Sequence, residues 1–214
     1  MTVGQRISHQ GGLPGFSPPQ DPSIWFDVPA TLKALCEQAP LWTPGEGSGY
    51  HPIAGYLLGE VFRRVDGRSM GTALREDIAS KFGLDLMIGT PDDYAPRIAV
   101  MQKPTSAPDL GPIDAIKQAA FLDRGSAPAG KGSADWRRME IPSANTHATA
   151  LSLAQFMGIV ANGGALQGQR LLSLSTLGQL TRERVYGQDR VLPFRLSWAA
   201  GLLRNTGIKI CWSE

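Results

Sequence analysis

The sequence predicts a mixed α/β (α+β) chain in which helix outweighs strand. Three observations carry this expectation. Apolar residues recur at intervals of three and four in several stretches, those stretches are bracketed by residues that start and stop helices, and only two short runs suit a strand. Five or six helices are expected against two strands, the second arriving only near the end of the chain.

The elements follow in order. Residues 11–22 (GGLPGFSPPQDP) read as a long ordered loop, because the prolines exclude helix and the glycines permit positive φ. Over 27–38, Val28, Leu32, Leu35 and Cys36 have helical spacing, with Asp27 as N-cap and Pro29 in the first turn. Residues 40–49 (PLWTPGEGSG) form a second loop and deliver the chain to Tyr50. From 51 to 66 the apolar positions Ile53, Leu57, Leu58, Val61, Phe62 and Val65 predict a helix that Gly67 caps. Ser69 starts the next, through Met70, Leu74, Ile78 and Phe82 to Gly83, so the two make a helical hairpin. Residues 84–88 suit a short strand, and 112–122 a helix between polar, Gly/Pro/Ser-rich stretches at 103–111 and 124–135. A helix over 148–161 stops at Asn162-Gly163-Gly164. Ser173 caps another through Leu177 and Leu180, and 196–203 (LSWAAGLL) is short enough to be a strand.

Composition narrows the function classes. With 214 residues the chain can bury about 70% of its unfolded surface, so a core needs no covalent staples. The 42% hydrophobic and 19% charged content, at mean hydropathy −0.13, is that of a globular protein. A balance of 21 basic to 19 acidic residues, with no dense Lys/Arg run, argues against a nucleic-acid partner. Cys36 and Cys211 lie far apart, outside any metal-ligand spacing, so neither a disulfide framework nor a structural metal is expected, and no cofactor is implied. No stretch of eighteen apolar residues could span a bilayer and the N-terminus has no signal-like core, which makes the cytoplasm the default compartment.

Few residues announce chemistry. His9, His51 and His147 stand three or four residues from no other ligand in a pattern such as HExxH, and read as loop or capping residues. Phosphate-cradling glycine motifs are absent. Tyr50 is the better candidate: it ends a Pro/Gly loop and begins an apolar helix, where a side chain can project into a cleft from a rigid support. A tyrosine that simply packs its ring and ties its hydroxyl is the plain alternative.

Three segments shift that balance. ISHQGGLPGF, then WTPGEGSGYHPIAGYLLGEVFRRVDGRSMGTALREDI, then IPSANTHATALSLAQFMGIVANGGALQGQRLLS, in this order, resemble the β-lactamase-related serine hydrolases. That family includes class C β-lactamases, D-alanyl-D-alanine carboxypeptidases and esterases of the same serine β-lactamase/transpeptidase-like fold. The resemblance runs from Ile7 to about Asn205. It implies a fold of an all-helical region beside an antiparallel sheet. This chain would hold mostly the helical region, with much of the sheet missing: 27–90 carries the tyrosine motif, 103–135 forms flexible linkers, and 141–205 returns toward the sheet.

The resemblance places Tyr50 on the tyrosine of the family's Tyr-x-Asn motif, where the phenol helps move the nucleophile's proton. A phenol with pKa ~10 does this near neutrality only beside an ammonium. In the family that ammonium is the lysine of a Ser-x-x-Lys motif. Here the residues three positions before the six lysines are Ala30, Ile78, Val100, Asp114, Pro128 and Thr206, so the motif is absent. The ISHQGGLPGF-like segment begins at residue 7, where the family places it well after Ser-x-x-Lys. No third motif is recognised in the closing IKICWSE. The expectation is therefore a chain truncated at both ends, whose parent is a carboxylesterase acting through an acyl-serine on a small ester or amide, and which is itself inactive. A non-catalytic helical remnant that binds a partner is the alternative. The motif reads Tyr50-His51-Pro52, so His51 and Pro52 are candidate substrate contacts, and Trp42 lies close enough in sequence to line the same cleft. Helices that cover an absent sheet would leave apolar faces open to self-association.

Overall fold

The computed structural model describes residues 1–102, 105–106 and 109–207. Of the expected 103–135 linker, positions 103, 104, 107 and 108 lie outside it, as do Cys211 and the IKICWSE segment. Among the described residues no helix is long and apolar enough to cross a membrane, and Cys36 is free and exposed.

A helix absent from the sequence reading opens the chain: α1 (Val3–Ile7), where Thr2 and Gln5 cap each other's backbone N–H groups. The loop over 11–22 follows, with residues 11–16 all buried, and a single-turn helix at Pro22–Phe26 ends it. Gly15 is required there, since a Cβ would stand 1.8 Å from the Ala119 carbonyl oxygen. Next comes α2 (Val28–Glu37), capped by Asp27 as its spacing predicts, the carboxylate accepting from Ala30 N–H at 2.9 Å.

The helix expected from residue 51 begins later, as α3 (Ala54–Asp66). His51 to Ile53 form a turn instead, closed by Ala54 N–H on the His51 carbonyl at 3.1 Å. Gly67 caps α3 with φ 87°, and Ser69 caps α4 (Met70–Ala73), which widens through Leu74–Ala79 into α5 (Ser80–Phe82). The predicted hairpin therefore forms, and Arg68 at its turn pairs with Asp66, Glu76 and Asp77. The helix expected over 112–122 starts at α6 (Ala115–Lys117), because Asp114 accepts from both Ile116 and Lys117 N–H, and continues as a wider turn over Gln118–Leu122. A short α7 (Ala134–Arg138) begins within a stretch read as loop. Farther along, α8 (Ala150–Ala161) is capped by Thr149, and α9 (Leu174–Thr181) by Ser173.

Strands are more numerous than predicted but short. β1 (Leu86–Ile88) pairs antiparallel with β2 (Thr146–Ala148), so Ala148 belongs to a strand rather than to the following helix. β3 (Ala165–Leu166) and β4 (Gln169–Arg170) form a small hairpin. The third sheet has the order β5-β6-β7, from Val185–Gln188, Arg195–Trp198 and Leu203–Arg204. The run at 196–203 is thus not one strand: Ala199 N–H closes a turn on the Leu202 carbonyl at 2.8 Å and the chain doubles back.

Two apolar clusters hold these pieces. One gathers Phe16, Trp25, Leu35, Ile53, Tyr56, Trp136 and Ile141. The other joins Phe82, Leu84, Leu86, Ile159 and Leu166 under β1. The first cluster sits beneath the start of α3 and so fixes the place where Tyr50 enters.

Candidate active site

Tyr50 is held by its backbone. Its N–H donates to Asp189 Oδ1 at 3.0 Å, and the same oxygen accepts from Val191 and Leu192 N–H at 3.0 and 2.9 Å. The other oxygen, Oδ2, accepts from Trp198 Nε1 at 3.2 Å. Asp189 is only 3% exposed, and four N–H donors are what make a carboxylate tolerable there. The tyrosine ring is stacked near-parallel with Trp198 (centroids 6.4 Å, 17°) and Phe121 (6.3 Å, 23°). Burial pushes its phenol above the ordinary value.

Two histidines stand behind it. His51 Nε2 accepts from Leu13 N–H at 3.0 Å, which leaves the proton of the neutral ring on Nδ1. That atom lies 3.3 Å from His9 Nδ1, which also accepts the His51 backbone N–H at 3.0 Å, so His9 carries its own proton on Nε2. Burial, assisted by the Arg6 charge, holds His51 well below the usual histidine range. Burial likewise lowers His9 to about 4, with Asp189 opposing and Arg6 adding. Both rings are therefore neutral at physiological pH and belong to a stacked column, Trp42 on His51 (5.6 Å, 18°) and His51 on His9 (5.4 Å, 21°), that ends against Trp198 (4.2 Å).

A cavity of about 260 Å³ opens beside this column, with Arg6, His9, Tyr50, His51, Met70 and Ser143 on its wall. Ser143 reaches it because Asn145, buried, ties the 136–145 loop: its amide donates to the Trp136 and Met139 carbonyls and accepts from Ile141 N–H. Gly55 permits the approach, since a Cβ there would lie 2.6 Å from the Ser143 nitrogen. Arg6 is 3% exposed and donates from Nη1 to the Leu13 carbonyl, while its Nε and Nη2 have no partner among the described residues.

The structure thus brings two of the four sequence candidates, Tyr50 and His51, to one wall. Trp42 is buried behind His51 with the Arg190 guanidinium over its ring at 5.4 Å, and Pro52 sits in the turn before α3. Neither lines this cavity. Sequence reading missed Asp189 and Trp198, which meet Tyr50 from far along the chain, and Ser143, which shares its cavity, and it read His9 only as a loop or capping residue. One local pattern misleads: Gly67-Arg68-Ser69-Met70-Gly71 has the G-x-S-x-G spacing of a nucleophile elbow. Ser69 is instead a helix cap, accepting from Thr72 N–H and donating to Glu140, and makes no hydrogen bond to a histidine among the described residues. A cleft of about 490 Å³ between Met87, Arg97, Trp136 and His147 does not have Tyr50 on its lining.

Comparison with known proteins adds the following. A protein-family profile described as Beta-lactamase matches residues 1–208. The chain is 32% identical over 208 residues to the esterase/beta-lactamase LipL of Mycobacterium tuberculosis, covering 91% of this chain and 47% of that protein. The crystal structure of a penicillin-binding protein homolog from Caulobacter crescentus superposes with TM-score 0.92 at 52% identity, over 96% of this chain and 55% of the other. A family VIII carboxylesterase follows at TM-score 0.84 and 30% identity, over 97% and 56%. The chain spans about half the length of each of these relatives.

Proposed function

This chain belongs to the beta-lactamase family and has a β-lactamase/transpeptidase-like fold, and from that premise we propose that it carries the tyrosine half of a serine-hydrolase site that opens small esters through an acyl-serine intermediate. The observation that supports the reading is Tyr50 itself: fixed through its own N–H, stacked near-parallel with two aromatic rings, and set on the wall of the cavity.

In such a site the serine oxygen attacks the ester carbonyl while its proton passes toward the phenol oxygen, and that proton then leaves with the alcohol as the acyl-enzyme forms. Water repeats the sequence in reverse. A phenol raised by burial is a poor proton acceptor at neutral pH, so Tyr50 needs a cation close by to work. With no Ser-x-x-Lys in its 214 residues, the chain lacks both that lysine and the nucleophile, and we assign it no turnover alone. Pro52 bears on substrate. The third residue of the family's second motif is an asparagine whose amide grips the acylamide of a lactam, and proline offers no such group. Esters, which need no amide clamp, are the substrates this favours. The family VIII carboxylesterase among its relatives points the same way.

The test is a labelling and turnover series. The 214-residue chain should take up no fluorophosphonate probe and leave p-nitrophenyl butyrate intact. The complete parent, with a Ser-x-x-Lys segment before these residues and the third motif after them, should hydrolyse the ester well and nitrocefin poorly, and should lose most of its acylation rate on Tyr50→Phe. Stoichiometric serine labelling of the short chain, or nitrocefin turnover equal to ester turnover, would overturn the reading.

A further inference from the structure

We infer that Asp189 is a positioning residue for Tyr50, a single buried carboxylate that sets both the backbone and the stacking partner of the group the proposed chemistry uses. The inference rests on that reading of Tyr50 for its functional meaning, though not for its geometry. One oxygen gathers three backbone N–H groups, from Tyr50, Val191 and Leu192, and the other takes the Trp198 indole N–H. Tyr50 closes the 40–49 loop, Val191 and Leu192 belong to the turn after β5, and Trp198 ends β6. Asp189 is therefore where three stretches of chain meet on one carboxylate.

The turn around it is locked as well. Asp189 N–H donates to the Phe194 carbonyl at 2.9 Å, and Arg190 N–H to the Ser48 carbonyl, also at 2.9 Å. This second bond reaches the same loop that carries Tyr50, two residues upstream. The loop that ends in Tyr50 is thereby gripped at two points from one turn, at the Ser48 carbonyl and the Tyr50 N–H, and the Tyr50 ring faces the indole that the same carboxylate contacts. Trp198 also meets His9 at 4.2 Å, so the carboxylate's hold extends to the histidine that lines the cavity beside Tyr50. A neutral carboxamide cannot repeat this arrangement. Its oxygen can serve the three backbone donors, but its Nδ2–H₂ then confronts the indole N–H, and the flipped amide leaves the backbone donors facing N–H instead.

The experiment uses the whole 214-residue chain with labelled tyrosines. It contains four, and Tyr50→Phe identifies the Tyr50 ring resonances by their loss. In the unsubstituted chain those resonances should carry the displacement expected of a ring stacked between Trp198 and Phe121. Asp189→Asn should return them toward unstacked positions and speed exchange of the Trp198 indole proton about ten- to a hundredfold, while Tyr56, bonded to the Trp25 carbonyl elsewhere, keeps its shifts. Ser152→Ala is the control for general loosening. It removes a buried hydroxyl that accepts from Asp85 N–H on another face and should leave Tyr50 unmoved. A folded Asp189→Asn chain with unshifted Tyr50 resonances overturns the inference, as does an equal shift in Ser152→Ala. If Asp189→Asn does not fold, exchange in the unsubstituted chain decides. Matched protection of the Tyr50 amide and the Trp198 indole supports the clamp, and an indole exchanging as freely as an exposed one refutes it. None of these readouts is turnover, so failure of the esterase reading, with Tyr50→Phe keeping full ester turnover, would leave the clamp standing, and the reverse holds.

Discussion

At the scale of single residues, the histidines show how burial decides what a side chain is for. His9 and His51 each accept backbone or ring N–H bonds as neutral rings, and their roles cannot be filled by the imidazolium, which has no lone pair to offer. His9 binds a proton at about 4 when folded against about 6.5 when unfolded. The unfolded chain is thus the better proton acceptor between those values, and stability must be complete above pH 6.5 and fall as pH drops toward 4. For His9 alone the loss is about 3 kcal/mol. Urea midpoints measured from pH 7.5 to 4.5 should show that decline, and His9→Asn should flatten it. Asparagine suits the site because its amide oxygen can replace Nδ1 as acceptor and it tolerates the φ of 59° found at this position. An unchanged slope in His9→Asn would assign the decline to other groups. None of this was legible in the sequence, where His9 and His51 stand 42 positions apart and each looks like a loop residue. Tyr50, by contrast, stood out as a candidate in the sequence, because a local loop-to-helix junction and an ordered set of neighbouring segments both pointed at it.

At the scale of elements, caps and close approaches separate what is local from what is not. Asp27, Ser69, Thr149 and Ser173 all stand one residue before a helix and accept an N–H from its first turn. Three of these were read from sequence, since a short polar side chain before an apolar periodicity satisfies donors the helix leaves open. Thr149→Ala should cost about 1 kcal/mol, the usual worth of such a cap, whereas Gly15→Ala should cost about 3 kcal/mol, because its Cβ would run into the Ala119 carbonyl 1.8 Å away. Chemical denaturation of both variants checks the order, and a Gly15→Ala chain as stable as Thr149→Ala would mean the loop can back away from the 118–122 turn. The sequence treated residue 15 as one more loop glycine. Its constraint comes from a segment a hundred positions later. Strand assignment failed for a related reason: β2, β3, β4 and β7 are two or three residues each, too short to show alternation, and they are strands only through partners elsewhere in the chain.

At the scale of the whole molecule, apolar surface is the open question the fold poses. Val65, Leu151 and Leu174 are 70% exposed or more, and a groove of about 510 Å³ runs between Val3, Leu32, Leu57 and Val61. Among the described residues β5 forms an open edge of its sheet, with Tyr186 half exposed on it. The chain should therefore associate with itself as concentration rises, read as an increase in mass by light scattering on size exclusion between micromolar and millimolar loading. A constant monomer mass across that range would show these faces to be harmless. The sequence by itself determined the family and the main helices with most of their caps, and it nominated Tyr50 as a candidate, because each is written in residues that lie near one another along the chain. Tertiary structure alone decided which groups surround that tyrosine. Asp189, Trp198, Phe121 and His9 reach it across 41 to 148 positions of chain, and such meetings are fixed by the packing of whole elements and by the need of a buried carboxylate for four N–H donors, neither of which has a local signature.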